Sequence, residues 1–97
     1  MISIVIVTYN STDYIYRCIK SILKSNLKDL KIEIIIVDNN SIEKLKFVNS
    51  SVKIYHMDYN IGYSKAVNYG IDKAIFKNII TINPDTYVLN NSIQNIY

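Results

Sequence analysis

Three short polar segments of the chain follow apolar runs, and their residue types suit ligand binding. They are Thr8-Tyr9-Asn10, Asp38-Asn39-Asn40-Ser41 and Asn83-Pro84-Asp85-Thr86. Each preceding run is rich in β-branched residues, which is typical of a buried strand, and Pro84 ends the last run because it cannot donate a backbone hydrogen bond. In open α/β sheets, ligands bind at the carboxyl ends of the strands. The three segments therefore predict one shared site.

The two aspartates in these segments suggest different chemistry. Asp38 could accept a hydrogen bond from a base or a ribose hydroxyl, and Asp85 could ligate a hard cation that bridges a diphosphate. The same residue types, with Thr8 and Asn10, also form turns for purely local reasons. No glycine-rich phosphate-binding motif follows the first apolar run. A nucleotide diphosphate would therefore need a divalent cation, and Asp85 is the candidate ligand.

The only histidine and the only cysteine are interpreted as structural. His56 falls on a predicted edge strand, and Cys18 falls on the apolar face of a predicted helix, where no feature marks it as an activated nucleophile. The sequence contains neither a cluster of Cys and His typical of zinc sites nor an evident Ser-His-Asp set.

The order of predicted elements indicates a single α/β domain. Residues 2–8, 32–37, 52–57 and 78–82 predict four strands, of which the third has one wet face. One helix is predicted from the 11–13 segment, which offers capping side chains, to about Asn26, and a second from about Tyr63 to Phe76. A last helical turn is predicted over 93–97. Residues 42–47 predict a short surface helix or turn. Gly62 is expected to take a positive φ, and Gly70 to let a helix approach the sheet. This pattern predicts three α/β/α layers around a mostly parallel sheet with right-handed crossovers.

Composition excludes several classes of protein. The 97 residues are enough for one domain, and the net charge of +3 comes from scattered lysines, which does not indicate a nucleic-acid-binding surface. The longest apolar runs, 4–7 and 34–37, are far shorter than the ~20 residues that cross a bilayer. With no basic segment before the first strand, the expected location is the cytoplasm.

Four motifs in order resemble the N-terminal part of family 2 glycosyltransferases of GT-A fold. They are residues 3–10, 36–41, 60–71 and 83–86. The rhamnosyltransferase-like branch is the most similar, because Asn-Pro-Asp commonly stands there in place of Asp-x-Asp. The resemblance implies a sheet with strand order 3-2-1-4.

The resemblance also implies roles for individual residues. It implies that Asp38 contacts the base, that the segment 60–68 borders the nucleotide sugar, and that Asp85 binds Mg²⁺ or Mn²⁺ on the diphosphate. The donor would be a UDP- or dTDP-linked hexose or deoxyhexose, and the acceptor a glycan or a lipid-linked molecule. The full expected nucleotide-binding set is Thr8, Asn10, Asp38, Asn40, Asn60, Gly62, Lys65, Asn68 and Asn83.

Three departures from the family pattern affect these expectations. Asn83 replaces the first carboxylate of Asp-x-Asp, and Val67 stands where many relatives carry Arg, so Lys65 is the alternative phosphate contact. The chain is also much shorter than members of the family, and no Asp or Glu follows Asp85. We therefore expect only the nucleotide-binding half, without an acceptor site, and assign no catalytic residue.

The short chain leads to one further expectation and leaves alternatives open. The fourth strand would form an apolar sheet edge, which favours a homodimer or higher assembly through that edge. A non-catalytic nucleotide- or protein-binding module, or one half of a split enzyme, fits the same residues. A flavodoxin-like regulatory domain fits less well, since the first strand ends without an acidic pair.

Overall fold

The computed structural model describes residues 1–25, 30–47 and 49–85 of the 97-residue chain. Its elements are β1 (Ile2–Thr8), α1 (Thr12–Lys24), β2 (Ile32–Asp38), β3 (Val52–His56), α2 (Tyr63–Lys73) and β4 (Ile79–Ile82). The sheet order is β3-β2-β1-β4, and all three strand pairings are parallel. The predicted α/β class and the strand order 3-2-1-4 are confirmed.

The two faces of the sheet carry separate apolar cores. Even-numbered isoleucines of β1 and β2 pack with the apolar stripe of α1, which includes Ile15, Ile19 and Ile22. The odd-numbered residues of the same strands, among them Val5 and Val37, pack with α2 through Ala66. Alternation of side chains along a strand explains the division. Both central strands are buried on both faces, as their continuous apolar pattern predicts.

Gly70 lets α2 lie close to the sheet. A Cβ atom at this position would lie 2.5 Å from Cγ1 of Val5 and 3.2 Å from Cγ2 of Val37. Real Cβ atoms do not approach carbon that closely, so any larger residue requires the helix or the valines to move. The close approach predicted from the sequence is confirmed.

A buried polar network joins β1, β2 and the α2–β4 connection at the amino-terminal edge of the sheet. Glu33 accepts hydrogen bonds from Ser3 Oγ at 2.7 Å, from the backbone N–H of Ile75 at 3.0 Å and from Lys53 Nζ at 3.3 Å. The backbone N–H of Phe76 donates to Ser3 Oγ at 3.3 Å. Because these two amides bond to the sheet, α2 ends at Lys73 and not at Phe76 as predicted.

Several smaller predictions are corrected or lie outside the described residues. Ser11 is the N-cap of α1, but its hydroxyl donates to the carbonyl of Tyr9 and makes no capping bond. Residues 42–47 contain a bend at 42–43 and no helix, and the predicted turn at 93–97 lies outside the described residues. Within the described ranges, neither helix is long and apolar enough to cross a membrane.

Candidate functional site

Three polar residues form one row across the carboxyl edge of the sheet. Thr8 is the register partner of Asp38, and Asp38 is the register partner of His56. All three continue the even-numbered face that packs on α1, one step beyond Ile6, Ile36 and Ile54. The structure therefore brings two of the predicted site residues together and adds His56, which we interpreted as structural.

The hydroxyl group of Thr8 lacks a hydrogen-bond partner in the part of the protein that the structure describes. Thr8 is 3% exposed, and its Oγ1 is buried without a hydrogen-bond partner among the described residues. A buried hydroxyl without a partner is costly, so such groups in native proteins usually bond to water or a ligand. Thr8 thus marks a point in the row where a polar partner is expected.

Asp38 is buried and extensively hydrogen bonded. Its Oδ1 accepts from the backbone N–H of Ser41 at 3.0 Å and from Ser41 Oγ at 2.5 Å, and its Oδ2 lies 2.8 Å from Nδ1 of His56. Lys44 Nζ lies 3.8 Å from the same Oδ2. Burial alone raises the pKa of Asp38, but the bonds from Ser41 and His56, with the charge of Lys44, outweigh it and lower the pKa. Asp38 is therefore an ionised carboxylate at neutral pH.

Asn10 connects the loop after β1 to the loop after β2. Its backbone φ of 52° is in the left-handed region, which asparagine tolerates better than most residues. The backbone N–H of Asn10 donates to Ser41 Oγ at 2.8 Å, and its Oδ1 accepts from the backbone N–H of Ile42 at 2.9 Å. The side-chain carbonyl of Asn10 is thus used within the protein, whereas its Nδ2 makes no hydrogen bond to any of the described residues.

Asn39 connects the loop after β2 to the start of α2. It is buried, its Oδ1 accepts from the backbone N–H of Ile61 at 2.8 Å, and its Nδ2 donates to the carbonyl of Gly62 at 3.2 Å. Our sequence reasoning did not include Asn39 or Ser41 among the site residues. Both stand in the same short motif as Asp38, and an Asn or Ser beside a buried Asp is the available signal for such a supporting role.

The remaining predicted residues of the two loops hold the loops in shape. Asn40 has a φ of 69°, and its Oδ1 accepts from Lys44 Nζ at 3.1 Å. Asn60 Oδ1 accepts from the backbone N–H of Gly62 at 2.8 Å. Gly62 is the N-cap residue of α2 and has a φ of 85°, which confirms the predicted positive φ.

Lys65 and Asn68 are exposed on α2. Within the described part of the chain, their side chains make no hydrogen bond or ion pair with protein groups. Both residues lie in the first two turns of α2, whose amino terminus is at the carboxyl edge of the sheet.

Asn83 and Asp85 lie just beyond the end of β4, and both are exposed. The carbonyl oxygen of Asn83 is 3.9 Å from Sγ of the buried Cys18. Burial, with a smaller contribution from the charge of Asp85, raises the pKa of the Cys18 thiol to about 11. Because Cys18 belongs to α1, its contact with Asn83 places Asn83 next to α1 at the carboxyl edge of the sheet.

A surface cavity of about 430 Å³ lies beside Asn10, between the start of α1 and the loop after β2. It adjoins the polar row through the Asn10 and Ser41 contact. Its lining residues are Asn10, Ser11, Thr12, Asp13, Tyr14, Ile42 and Glu43.

The carboxylate that the described residues offer at this edge suits a cation only when a bound ligand supplies further oxygen atoms. In the residues that the structure describes, no three His, Cys, Asp or Glu side chains are close enough together to hold a metal ion. Asp85 is a single exposed carboxylate. Mg²⁺ commonly binds through one or two carboxylates together with substrate phosphates, so Asp85 fits a metal that arrives with a diphosphate.

A parallel sheet of order 3-2-1-4 with helices packed on both faces belongs to the doubly wound α/β class, in which ligands bind at the carboxyl ends of the strands. Residues 3–97 match the model of glycosyl transferase family 2, and the chain belongs to that family. The glycosyltransferase GlyG of Streptococcus pneumoniae is 30% identical over 104 aligned positions, which cover 100% of this chain and 34% of GlyG. The chain thus spans about a third of the length of that relative.

Solved structures show the same fold. The chain superposes on S. aureus TarS with a TM-score of 0.82 at 21% identity, covering 98% of this chain and 30% of the TarS chain. TarS has also been solved in complex with UDP and with UDP-GlcNAc. A mannosyltransferase from Pyrobaculum calidifontis, in complex with GDP-Man and Mn²⁺, gives a TM-score of 0.71 at 15% identity over 87% of this chain and 27% of its own. The four-stranded sheet with its flanking helices matches the GT-A glycosyltransferase fold of TarS.

Proposed function

We propose that this chain binds a nucleotide-diphosphate sugar at the carboxyl edge of its sheet, as the donor-binding part of a sugar transferase. The donor is UDP- or dTDP-linked and carries a hexose or deoxyhexose, and the acceptor is a glycan or a lipid-linked molecule. Family membership and the TarS complexes with UDP and UDP-GlcNAc support the proposal. The Asn-Pro-Asp segment at 83–85 favours the rhamnosyltransferase-like branch.

One observation carries the proposal, namely the unpartnered Thr8 hydroxyl beside the ionised Asp38 in a single row. The two groups lie on β1 and β2, whose carboxyl ends are where open α/β sheets bind ligands. The asparagines of the expected set, Asn10, Asn40 and Asn60, hold the loops that border this row. Lys65 and Asn68 offer exposed donors from α2, and Asn83 a further polar group beyond β4.

We propose that Asp85 shares a Mg²⁺ or Mn²⁺ ion with the diphosphate of the donor. When bound, such an ion neutralises the leaving nucleotide diphosphate as a Lewis acid. The Mn²⁺ in the Pyrobaculum complex supports a divalent metal in this fold. Asn83 offers a neutral carbonyl in place of a second carboxylate, so we expect weak binding of the ion in the absence of nucleotide.

The test is titration of UDP and dTDP, with and without Mn²⁺, against the wild-type chain and the variants Asp38→Ala and Asp85→Ala. We expect binding by the wild type and weaker binding by both variants. Asp72→Ala is a matched control, because Asp72 is an exposed carboxylate on α2. Absence of nucleotide binding at millimolar concentration contradicts the proposal, and unchanged binding by the variants contradicts the site.

We keep a non-catalytic nucleotide- or protein-binding module, or one half of a split enzyme, as the second candidate. A nucleotide-binding module or one half of a split enzyme would bind the donor without transferring the sugar, whereas a protein-binding module would not bind the donor. Transfer or hydrolysis of a nucleotide sugar by the 97-residue chain alone would contradict the second candidate.

We also propose that the free edge of β4 associates with a second copy of the chain. In the described residues β4 pairs only with β1, and its isoleucines are partly exposed. An apolar strand with an unpaired edge recruits another chain. Sedimentation at tens of micromolar should show a dimer or larger species, and Thr81→Pro or Thr81→Lys should weaken it. A monodisperse monomer would contradict this proposal.

A further inference from the structure

Asp38 has little capacity left to bind a ligand directly. The Asp38 side chain is 1% exposed. Its Oδ1 accepts hydrogen bonds from the backbone N–H and from the hydroxyl group of Ser41, and its Oδ2 is close to both His56 and Lys44. A base that donated to Asp38 would have to displace one of these groups. The partner at the greatest distance is Lys44, whose Nζ lies 3.8 Å from Oδ2 and also donates to Asn40 Oδ1.

The ionised Asp38 determines which nitrogen of His56 carries hydrogen. A carboxylate can only accept, so the Nδ1 atom at 2.8 Å must be the donor. In a neutral imidazole with hydrogen on Nδ1, the other ring nitrogen has a free lone pair and is an acceptor. Nε2 has no partner among the described residues, and the His56 side chain is 39% exposed. Among the described residues, Asp38 is the charged group in contact with the ring, and Lys44 lies 3.8 Å from the same carboxylate oxygen.

We infer that His56 reads the base of the nucleotide, by accepting a hydrogen bond at Nε2 from a ring N–H of that base. The inference rests on the proposed nucleotide site and deepens it. Uracil, thymine and guanine have such a ring N–H, whereas cytosine and adenine present a ring nitrogen lone pair. The imidazole is held by Asp38, and two lone pairs cannot bond, so the site selects bases of the first group.

Binding of UDP and CDP to the wild type and to His56→Asn tests this role. The side-chain amide of asparagine places an N–H where Nδ1 was, so the bond to Asp38 is kept while the Nε2 acceptor is lost. We expect the wild type to bind UDP about tenfold more tightly than CDP. Uracil donates a hydrogen bond to Nε2, whereas the ring nitrogen lone pair of cytosine would be repelled by the lone pair of Nε2. In His56→Asn that ratio should fall close to one, and Asp72→Asn should leave it unchanged.

Each outcome has a definite meaning. A UDP to CDP ratio that is the same in His56→Asn as in the wild type overturns the inference and leaves the proposed nucleotide site intact. Failure of the wild type to bind either nucleotide overturns both. Loss of discrimination with UDP binding still measurable supports the role of His56.

A second measurement needs no variant. His56 is the only histidine of the chain, so its ring nitrogens are assigned without ambiguity in a ¹⁵N spectrum. UDP should move the Nε2 resonance in the direction of an accepted hydrogen bond while the Nδ1–H signal stays in place, and CDP should not. An Nε2 resonance that does not respond to saturating UDP overturns the inference.

Discussion

Nδ1 of His56 lies 2.8 Å from Oδ2 of Asp38, on the neighbouring strand and in the same row of the sheet. The contact joins β3 to β2 at the edge where the site is proposed. It also occupies the acidic group that, by resemblance, was expected to contact the base. His56, which we interpreted as structural from the sequence, is the more exposed member of this pair, with 39% of its side chain exposed against 1% for Asp38.

Stability should fall in acid because two buried carboxylates have lowered pKa values. Burial raises the pKa of Asp38 and of Glu33, but in each case the hydrogen bonds and the nearby lysine outweigh it. Their ordinary pKa values are 3.8 and 4.5, and the folded values are lower. The unfolded chain therefore binds more protons than the folded one as the pH falls through this range.

The stabilisation from both groups is present above their ordinary pKa values and is lost as the pH drops through the lower folded values. Urea denaturation at a series of pH values between 7 and 3 measures this change. The variant Glu33→Gln should be less stable at pH 7 and should show a shallower pH dependence, with Asp72→Asn as the exposed control. A midpoint that is constant down to pH 3 would contradict this account.

Gly70→Ala should destabilise the protein although alanine is the better helix former. The new Cβ would lie 2.5 Å from Val5 Cγ1, and Val5 is buried with little room to rotate. Overpacking costs about 1–3 kcal/mol, against a gain in helix propensity of about 1 kcal/mol. Denaturation of Gly70→Ala in the wild-type and Val5→Ala backgrounds measures the coupling. The alanine should be tolerated better in the second background, and an equal cost in both would refute the contact.

Asp85→Asn should remove a metal effect that depends on the diphosphate. If Asp85 and two phosphates share the ion, Mn²⁺ should strengthen UDP binding by about tenfold or more and leave UMP binding nearly unchanged. In Asp85→Asn the Mn²⁺ effect on UDP should disappear, whereas UMP should bind as before. Calorimetric titration measures all of these affinities. An equal effect of Mn²⁺ on UMP and UDP would place the ion elsewhere.

Cys18 should react with thiol reagents only when the protein unfolds. It is 0% exposed, and its pKa is raised to about 11, so only about 0.1% is thiolate at pH 8. Labelling with iodoacetamide should be slow in buffer and complete in denaturant, and its rate should rise in Gly70→Ala in proportion to the unfolded population. Rapid labelling of the native wild type would show that the cysteine is accessible.

Local pattern determined the fold of this chain. The continuous β-branched runs of β1 and β2 specify strands covered on both faces, and the apolar stripe of α1 specifies the helix that covers one of them. Gly62 and Gly70 were predictable for the same reason, since a positive φ and a close approach depend on the absence of a side chain. The motifs that placed polar groups after each strand were also readable from the chain alone.

Only the tertiary structure decided which of those polar groups are free to act. Asp38 and His56 are 18 residues apart, and their contact depends on the register of β2 against β3, which the sequence pattern of either strand does not contain. The same holds for Ser41 and Asn10, and for Glu33 and Ile75, which end up as partners across long stretches of chain. A hydrogen bond that spans neighbouring strands is a property of their packing, and this one engages Oδ2 of the buried Asp38 and leaves Nε2 of His56 without a partner among the described residues.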